Sequence, residues 1–291
     1  MNVGVIYPQY EYGNDPAAMR DYAQLAESLN FTHIEAYDHV LGANPDRPGG
    51  WRGPYTYETA FQEVLVLFAF LSALTERIGF MPGILILPQR QTPLVAKQAA
   101  TLDVVSKGRM RLGVGLGWNE VEYFSLGQDF HTRGRRIEEQ VQLLRRLWTE
   151  PLVKFSGRWD RVDDAGLNPM PIQQPIPIFF GARAEPAVRR AARLGDGWIM
   201  SFRKAEDARP ALEVLDRALA DAGRSRNEFV VEARLVFGDG DPGTWEATIR
   251  DWQAVGVNDF VLKTTEADLE SPADHQAAIR KFAEAFDLNA G

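Results

Sequence analysis

The sequence predicts an α/β fold, a (β/α)8 TIM barrel with an insertion after the fourth β/α unit. Three observations lead there. Strand-like and helix-like patterns alternate along the whole 291 residues. The strand-like segments are apolar nearly throughout, as expected of parallel strands covered by helices on the outside. Eight such units follow one another, the number that closes a barrel. A doubly wound open sheet is the second architecture this order allows. There is no internal repeat beyond the β/α rhythm, no low-complexity run and no interdomain linker, so residues 1–291 are expected to form one domain.

The elements follow in order. Residues 3–7 (Val-Gly-Val-Ile-Tyr) read as strand 1. Asp15-Pro16 caps a helix over 16–29, with Met19, Tyr22, Ala23, Ala26 and Leu29 on one face. Strand 2 covers 33–37, and a loop rich in Gly and Pro runs through 44–50. A helix over 59–75 leads to strand 3 at 79–87. Thr92-Pro93 opens a helix that ends at Lys107-Gly108. Strand 4 spans 110–116, and 137–148 lie in the next helix. Residues 151–175 break the rhythm as an excursion, with a short hairpin around 155–159. Strand 5 (176–180) precedes a helix over 186–194, closed by Gly195. Strand 6 (197–200) precedes a helix over 205–222. Strand 7 (229–237) precedes a helix over 244–255, closed by Gly256. Strand 8 (260–263) and a helix over 272–286 complete the series.

Composition narrows the function. The chain is 45% hydrophobic and 25% charged, which describes an ordinary globular protein. A net charge of −8 and a pI near 5.2 argue against nucleic acid or an anionic membrane as partner, while leaving room for a local basic pocket. With no cysteine there is no disulfide, no thiolate metal site and no cysteine nucleophile. The histidines (His33, His39, His131, His275) lack metal-ligand spacing, so no metal is expected. The chain starts in a strand rather than a signal peptide, and its longest apolar run, 64–74, is too short to span a bilayer. A cytoplasmic protein is the expectation.

A barrel carries its chemistry at the C-terminal ends of its strands. Strand 4 carries Gly113, Gly115 and Gly117 at alternate positions, so one of its faces has no side chains. Such a face packs tightly against a neighbouring strand or lies against something flat. It is not a dinucleotide loop: the spacing is wrong, and the next helical pattern begins near Thr132. Strand 2 ends in Asp38-His39. A histidine there can move a proton near neutral pH; the alternative is a turn-capping Asp beside a solvated His. Gly181-Ala182-Arg183 joins strand 5 to a helix whose free N–H groups suit a phosphate; an ordinary βα loop is the alternative. Glu185 would repel an anion if turned inward. Arg133, Arg135 and Arg136 read as a solvated face balanced by Glu138 and Glu139. Arg234 and Lys263 are either anchors for an acidic substrate group or surface charges. Trp51, Trp118 and Trp159 either line an apolar pocket or pack loops onto the barrel.

These residues carry a resemblance over nearly the whole chain. Its carriers are Tyr37-Asp38-His39-Val40-Leu41-Gly42, then the run TPLVAKQAATLDVVSKGRMRLGVGLG from Thr92 to Gly117, and its continuation from Trp118 to Glu122. Residues 133–148 and Phe179-x-Gly181, Ala191-Ala192 and Gly195-Asp196-Gly197-Trp198 complete it. Together they resemble the luciferase-like monooxygenase superfamily, within its branch of oxidoreductases that use the deazaflavin coenzyme F420. The resemblance implies a barrel with an insertion, matching 151–175, and a homodimer. It implies a tricyclic ring resting on a strand-3 bulge at Gly83-Ile84, often with a non-prolyl cis peptide. It also implies that Gly115 and Gly117 clear room for the ring beside Trp118, that Asp38 approaches the ring or its side chain, and that Gly181, Ala182 and Arg183 hold the phosphate. His39 would be the proton donor or acceptor. An Asp-His pair in place of Glu-His looks like the F420 branch.

The implied activity is hydride transfer between F420 and a small, fairly apolar substrate. An FMN-dependent two-component monooxygenase and a non-catalytic flavin-binding protein are the alternatives. Two departures stand out. Where the branch that oxidises glucose 6-phosphate has a glutamate after the last strand-4 glycine, this chain has Trp118. The phosphate loop reads Gly-Ala-Arg rather than the commoner Gly-Gly-x.

Overall fold

The computed structural model describes residues 1–288. Its strands are β1 (Asn2–Ile6), β2 (His33–Ala36), β3 (Gly79–Pro82), β4 (Leu85–Ile86), β5 (Leu112–Gly115), β6 (Val153–Ser156), β7 (Arg161–Ala165), β8 (Ile178–Ala182), β9 (Gly197–Met200), β10 (Val230–Val236) and β11 (Asp259–Lys263). Its helices are α1 (Gln9–Tyr12), α2 (Pro16–Ser28), α3 (Val64–Ser72), α4 (Thr92–Val105), α5 (Glu120–Ser125), α6 (Arg133–Thr149), α7 (Glu185–Leu194), α8 (Ala205–Asp221), α9 (Pro242–Gln253) and α10 (Pro272–Ala285).

Nine strands form one sheet in the order β3-β2-β1-β11-β10-β9-β8-β5-β4. Every neighbouring pair is parallel. β3 and β4 are the two halves of the strand expected at 79–87, interrupted at Gly83-Ile84. A lone parallel bridge from Phe80 to Met110 brings β3 back toward β5, so the sheet is a nearly closed barrel. The predicted doubly wound alternative is thereby excluded.

Strand alternation divides the core in two. Val3 and Val5, Ile34 and Ala36, Val231 and Ala233, Phe260 and Leu262 join the helices in one large apolar cluster. A much smaller cluster of Met81, Phe179 and Ile199 lies apart from it. The alternate positions of β2 and β10 put His33, Glu35 and Glu232 in the barrel interior, all buried.

Three local expectations change. The helix expected over 59–75 is confined to Val64–Ser72: Glu63 caps it, and the residues before it form a loop whose Tyr55 and Phe61 pack on His39. The glycine strand is followed at once by α5, capped by Asn119, rather than by a helix beginning near Thr132. The excursion contains the antiparallel pair β6–β7, outside the barrel sheet. The Glu139 carboxylate on α6 accepts hydrogen bonds from the N–H groups of Arg158, Trp159 and Asp160 at 2.7–2.8 Å and ties that hairpin down. Among the described residues no helix is long and apolar enough to cross a membrane.

Candidate active site

A cavity of about 460 Å³ opens at the C-terminal ends of the strands. Asp38, His39, Gly83, Ile84, Gly115, Gly117, Trp118, Gly181, Ala182 and Arg183 all border it, and Arg234 joins them. A larger cleft of about 830 Å³ lies along α8, β10 and α9, with a mixed charged lining; of the residues above it touches Arg234 alone.

The floor is made by the break in strand 3. The Gly83-Ile84 peptide is cis. The bare face of the glycine strand is filled by protein. A Cβ on Gly115 would fall 2.6 Å from Ile84, and one on Gly117 would fall 2.7 Å from Ile86. A Cβ on Gly113 would run into the Pro82 carbonyl, and one on Gly181 would fall 2.7 Å from Ile84. The glycines therefore make room first for the β3–β4 bulge, and only through Ile84 for anything above it. Gly117 also needs its glycine for φ, at +64°.

Asp38 secures the same bulge. One oxygen accepts the Ile86 N–H at 2.8 Å and the other accepts from Arg90 at 2.6 Å. Arg90 also holds Glu63 at 2.8 Å. Burial pushes the Asp38 carboxyl up, with Arg90 and the Ile86 N–H opposing it. Asp38 borders the cavity, yet both of its oxygens are engaged by the scaffold.

His39 is held from behind. Its Nδ1 lies 3.2 Å from Glu122 Oε2. The other oxygen of Glu122 accepts the backbone N–H groups of Val40 (2.6 Å) and Leu41 (3.1 Å). Burial pushes the Glu122 carboxyl up, but the hydrogen bond and charge of His39 and the two N–H groups more than offset this, so it lies below the usual carboxylate range. An ionised carboxylate only accepts, so Nδ1 carries the proton and Nε2 is left to exchange one. Asn119 closes the arrangement: its Oδ1 accepts the Val121 and Glu122 N–H groups while its Nδ2 donates to the Leu41 carbonyl at 3.2 Å. The ring of His39 is surrounded by Phe61 (4.9 Å between centroids), Tyr55 (5.2 Å) and Trp118 (5.6 Å).

Glu122 and Arg90 were missed as site residues, and Asn119, a candidate as a residue just past the glycine strand, was given no role. A signal existed for Glu122: an Asn followed three residues later by a Glu marks a helix start. None existed for Arg90, which meets Asp38 only through the fold.

The remaining candidates separate. Arg183 stands at the rim, over the Phe202 ring at 5.3 Å. Glu185, in the first turn of α7, pairs with Arg189 at 2.8 Å and is exposed, so it faces away from the cavity. Lys263 is bound to Glu266 at 2.7 Å. Trp51 packs on Trp118 at 5.7 Å, whereas Trp159 belongs to the hairpin held by α6 and is not among the residues around the cavity.

This geometry can be set beside known proteins. The sequence profile of the luciferase-like monooxygenase family matches residues 2–287. An F420-dependent glucose-6-phosphate dehydrogenase of Intrasporangium calvum is 31% identical over 283 residues, covering 91% of this chain and 80% of the relative. The monooxygenase RslO1 of Streptomyces bottropensis superposes with a TM-score of 0.82 at 18% identity, over 100% of both chains. The coenzyme F420-dependent tetrahydromethanopterin reductase of Methanopyrus kandleri superposes with a TM-score of 0.79 at 17% identity, over 98% of this chain and 97% of that one. These two structural likenesses establish the barrel, and the profile match with the dehydrogenase relative establishes the lineage: the chain belongs to the luciferase-like monooxygenase family.

Proposed function

We propose that this protein is an F420-dependent oxidoreductase acting on a small, largely apolar organic substrate. The observation that carries the reading is His39 at the cavity wall, with Nδ1 fixed by buried Glu122. A dehydrogenase relative that is F420-dependent supports the choice of cofactor. When bound, F420 supplies hydride transfer at its deazaflavin ring.

The residues present fit that group. Gly83 and the Ile84 side chain, which lies over Gly115 and Gly181, offer an apolar floor for a flat ring. Gly181, Ala182 and Arg183 lead into the N-terminus of α7, whose dipole favours a phosphate; Pro186 has no N–H and Ala187 and Val188 donate to Ala184, so Arg183 and the loop supply the donors. Glu185, turned toward Arg189, does not oppose it. Asp38 acts by fixing the floor through Ile86 and Arg90. His39 gives or takes the proton that accompanies hydride transfer, through Nε2. Trp51, Tyr55, Phe61 and Trp118 make the wall next to His39 aromatic, which favours an apolar substrate over a sugar phosphate and agrees with Trp118 standing where a glutamate is found in the glucose 6-phosphate branch.

The chain works as a homodimer in this reading. Val66 (67% exposed) and Phe70 (40%) on α3, with Leu94 (53%) on α4, form an unusually apolar outer surface.

Fluorescence titration with F420 and with FMN tests the cofactor. Micromolar F420 binding without FMN binding is expected. FMN binding alone would replace this reading with that of a two-component monooxygenase, and binding of neither would point to a barrel without flavin chemistry. His39→Ala should lower turnover about 100-fold or more while F420 affinity changes little; unchanged turnover would remove His39 from the chemistry.

A further inference from the structure

The cavity has a cation on its floor, facing the buried Glu35 and Glu232 without pairing with either. Arg234 lies on β10 two residues past Glu232, and its guanidinium sits over the Tyr37 ring at 5.8 Å. Among the described residues it makes no ion pair, and its Nε is buried without a hydrogen-bond partner. The other basic groups nearby are matched or outlying. Arg90 holds Asp38 and Glu63, Lys263 holds Glu266, and Arg183 stands on the exposed rim.

Beneath the floor is a set of buried acids with more oxygens than partners. Atoms of His33, Glu35 and Glu232 lie within 4.8 Å of one another. His33 meets Glu232 through Nε2 at 3.0 Å and the Thr32 hydroxyl through Nδ1 at 3.0 Å. Both oxygens of Glu35 and Oε1 of Glu232 are buried without a partner. Glu35 presses against the floor itself: a Cβ on Gly83 would fall 2.5 Å from its Oε2. Around this set, β1 contributes no titratable side chain, β5 adjoins Arg111, and β11 brings Asp259; Arg234 stands above.

Two carboxyls this close in a barrel core do not both ionise. Burial pushes Glu35 well above its ordinary range, and the nearby Glu232 reinforces it. Burial pushes Glu232 up to about 7 and His33 down to about 4. While both carboxyls are protonated, the charge on Arg234 is not cancelled from below, and the cavity above it favours an anion; once one of them ionises, that charge is balanced.

We infer that Arg234 anchors a carboxylate or enolate head group on an otherwise apolar substrate, and that the Glu35–Glu232 pair takes up a proton when that anion binds. This rests on the cavity being the reaction site. A new negative charge above the pair makes its first ionisation harder, and Glu232, the group that undergoes it, titrates close enough to neutrality for the proton to come from solvent.

Benzoate and uncharged benzamide are suitable probes, because they share a ring and differ in charge. Their binding is read from tryptophan fluorescence, since Trp118 borders the cavity, with and without F420 present. Benzoate is expected to bind about tenfold or more tightly than benzamide, the scale of a charge-assisted hydrogen bond. Arg234→Gln should abolish that preference and leave benzamide binding as the control for folding; Arg234→Lys should keep part of it. Calorimetry near neutral pH, in phosphate and in Tris, should give different heats of benzoate binding, the signature of proton uptake. Glu232→Gln should remove the difference and keep the binding.

Failure of benzoate to bind, equal affinity for benzamide, or a preference that survives Arg234→Gln overturns the anchor. So does an Arg234→Gln variant that weakens F420 while benzoate is untouched, since the anion would then belong to the cofactor. Identical heats in the two buffers overturn the proton uptake, as does a stoichiometric divalent ion found on the purified protein and lost in Glu35→Gln. F420 binding without benzoate binding would sink this inference alone; benzoate binding without F420 binding would sink the cofactor reading alone.

Discussion

Among the described residues, one of the two ring nitrogens of His39 has a polar partner: Nδ1, on Glu122. That asymmetry fixes the tautomer. The Glu122 carboxylate does two things at once, since its other oxygen pins the backbone at Val40 and Leu41. The two roles can be separated. Glu122→Gln keeps a carbonyl oxygen for the backbone N–H groups but loses the charge that faces Nδ1–H. Turnover should fall about 10- to 100-fold, the equivalent of the roughly 1.5–3 kcal/mol of a hydrogen bond to a charged group. Thermal stability should change less than in Glu122→Ala, which frees the loop as well. A Glu122→Gln variant with wild-type turnover and pH–rate profile would show that the carboxylate serves the loop only. His39 was legible because it stands at the end of a recognisable strand. Glu122 was not singled out, because its meaning depends on a contact 83 positions away in sequence that no local pattern encodes.

At the scale of elements, the glycine strand and the β3–β4 bulge are one device. β5 supplies a face without side chains, and the bulge fills it with Ile84 and Ile86. The alternation of glycines was readable as a bare face. What covers that face was not, because tight packing and ligand space leave the same trace in a sequence. Gly115→Ala tests the packing. Its Cβ would fall 2.6 Å from Ile84, so the bulge must shift. Overpacking of this kind costs about 1–3 kcal/mol, measurable by urea unfolding. Ile84→Ala opens space at the same point, so the double variant should be more stable than the sum of the two single losses predicts. Strict additivity would mean that Ile84 does not fill the glycine face. The strands themselves were legible because parallel strands are apolar in runs. The missed helix α5 is only six residues long and depends on its Asn119 cap more than on an apolar stripe.

Over the whole molecule, the barrel keeps an outer layer of ordinary apolar packing and an interior that carries His33, Glu35 and Glu232. The β2 sequence His-Ile-Glu-Ala alternates polar and apolar residues, which ordinarily indicates a strand with one wet face. Here both faces are buried, and the polar side points into the barrel. Stability should therefore depend on pH in a defined way. Glu232 has a folded-state pKa of about 7, above its ordinary value, so its contribution is fully present below the ordinary carboxylate range and is lost as pH rises through about 7. His33 is depressed to about 4, so its contribution is present above the ordinary imidazole value and is lost as pH falls through about 4. Glu35, pushed well above its ordinary range, adds a second contribution that is lost as pH rises. From the carboxylate range to the ordinary imidazole value His33 opposes these two losses, so stability should fall gently there; from that value to about 7 it should fall more steeply, and above about 7 only Glu35 is left to titrate. Glu232→Gln, a neutral isostere of the protonated acid, should flatten the decline between the carboxylate range and about 7 and leave the acid limb in place, because His33 is retained. Thermal unfolding of wild type and variant across this range makes the comparison, and parallel curves between the carboxylate range and about 7 would show that Glu232 does not titrate in the folded barrel.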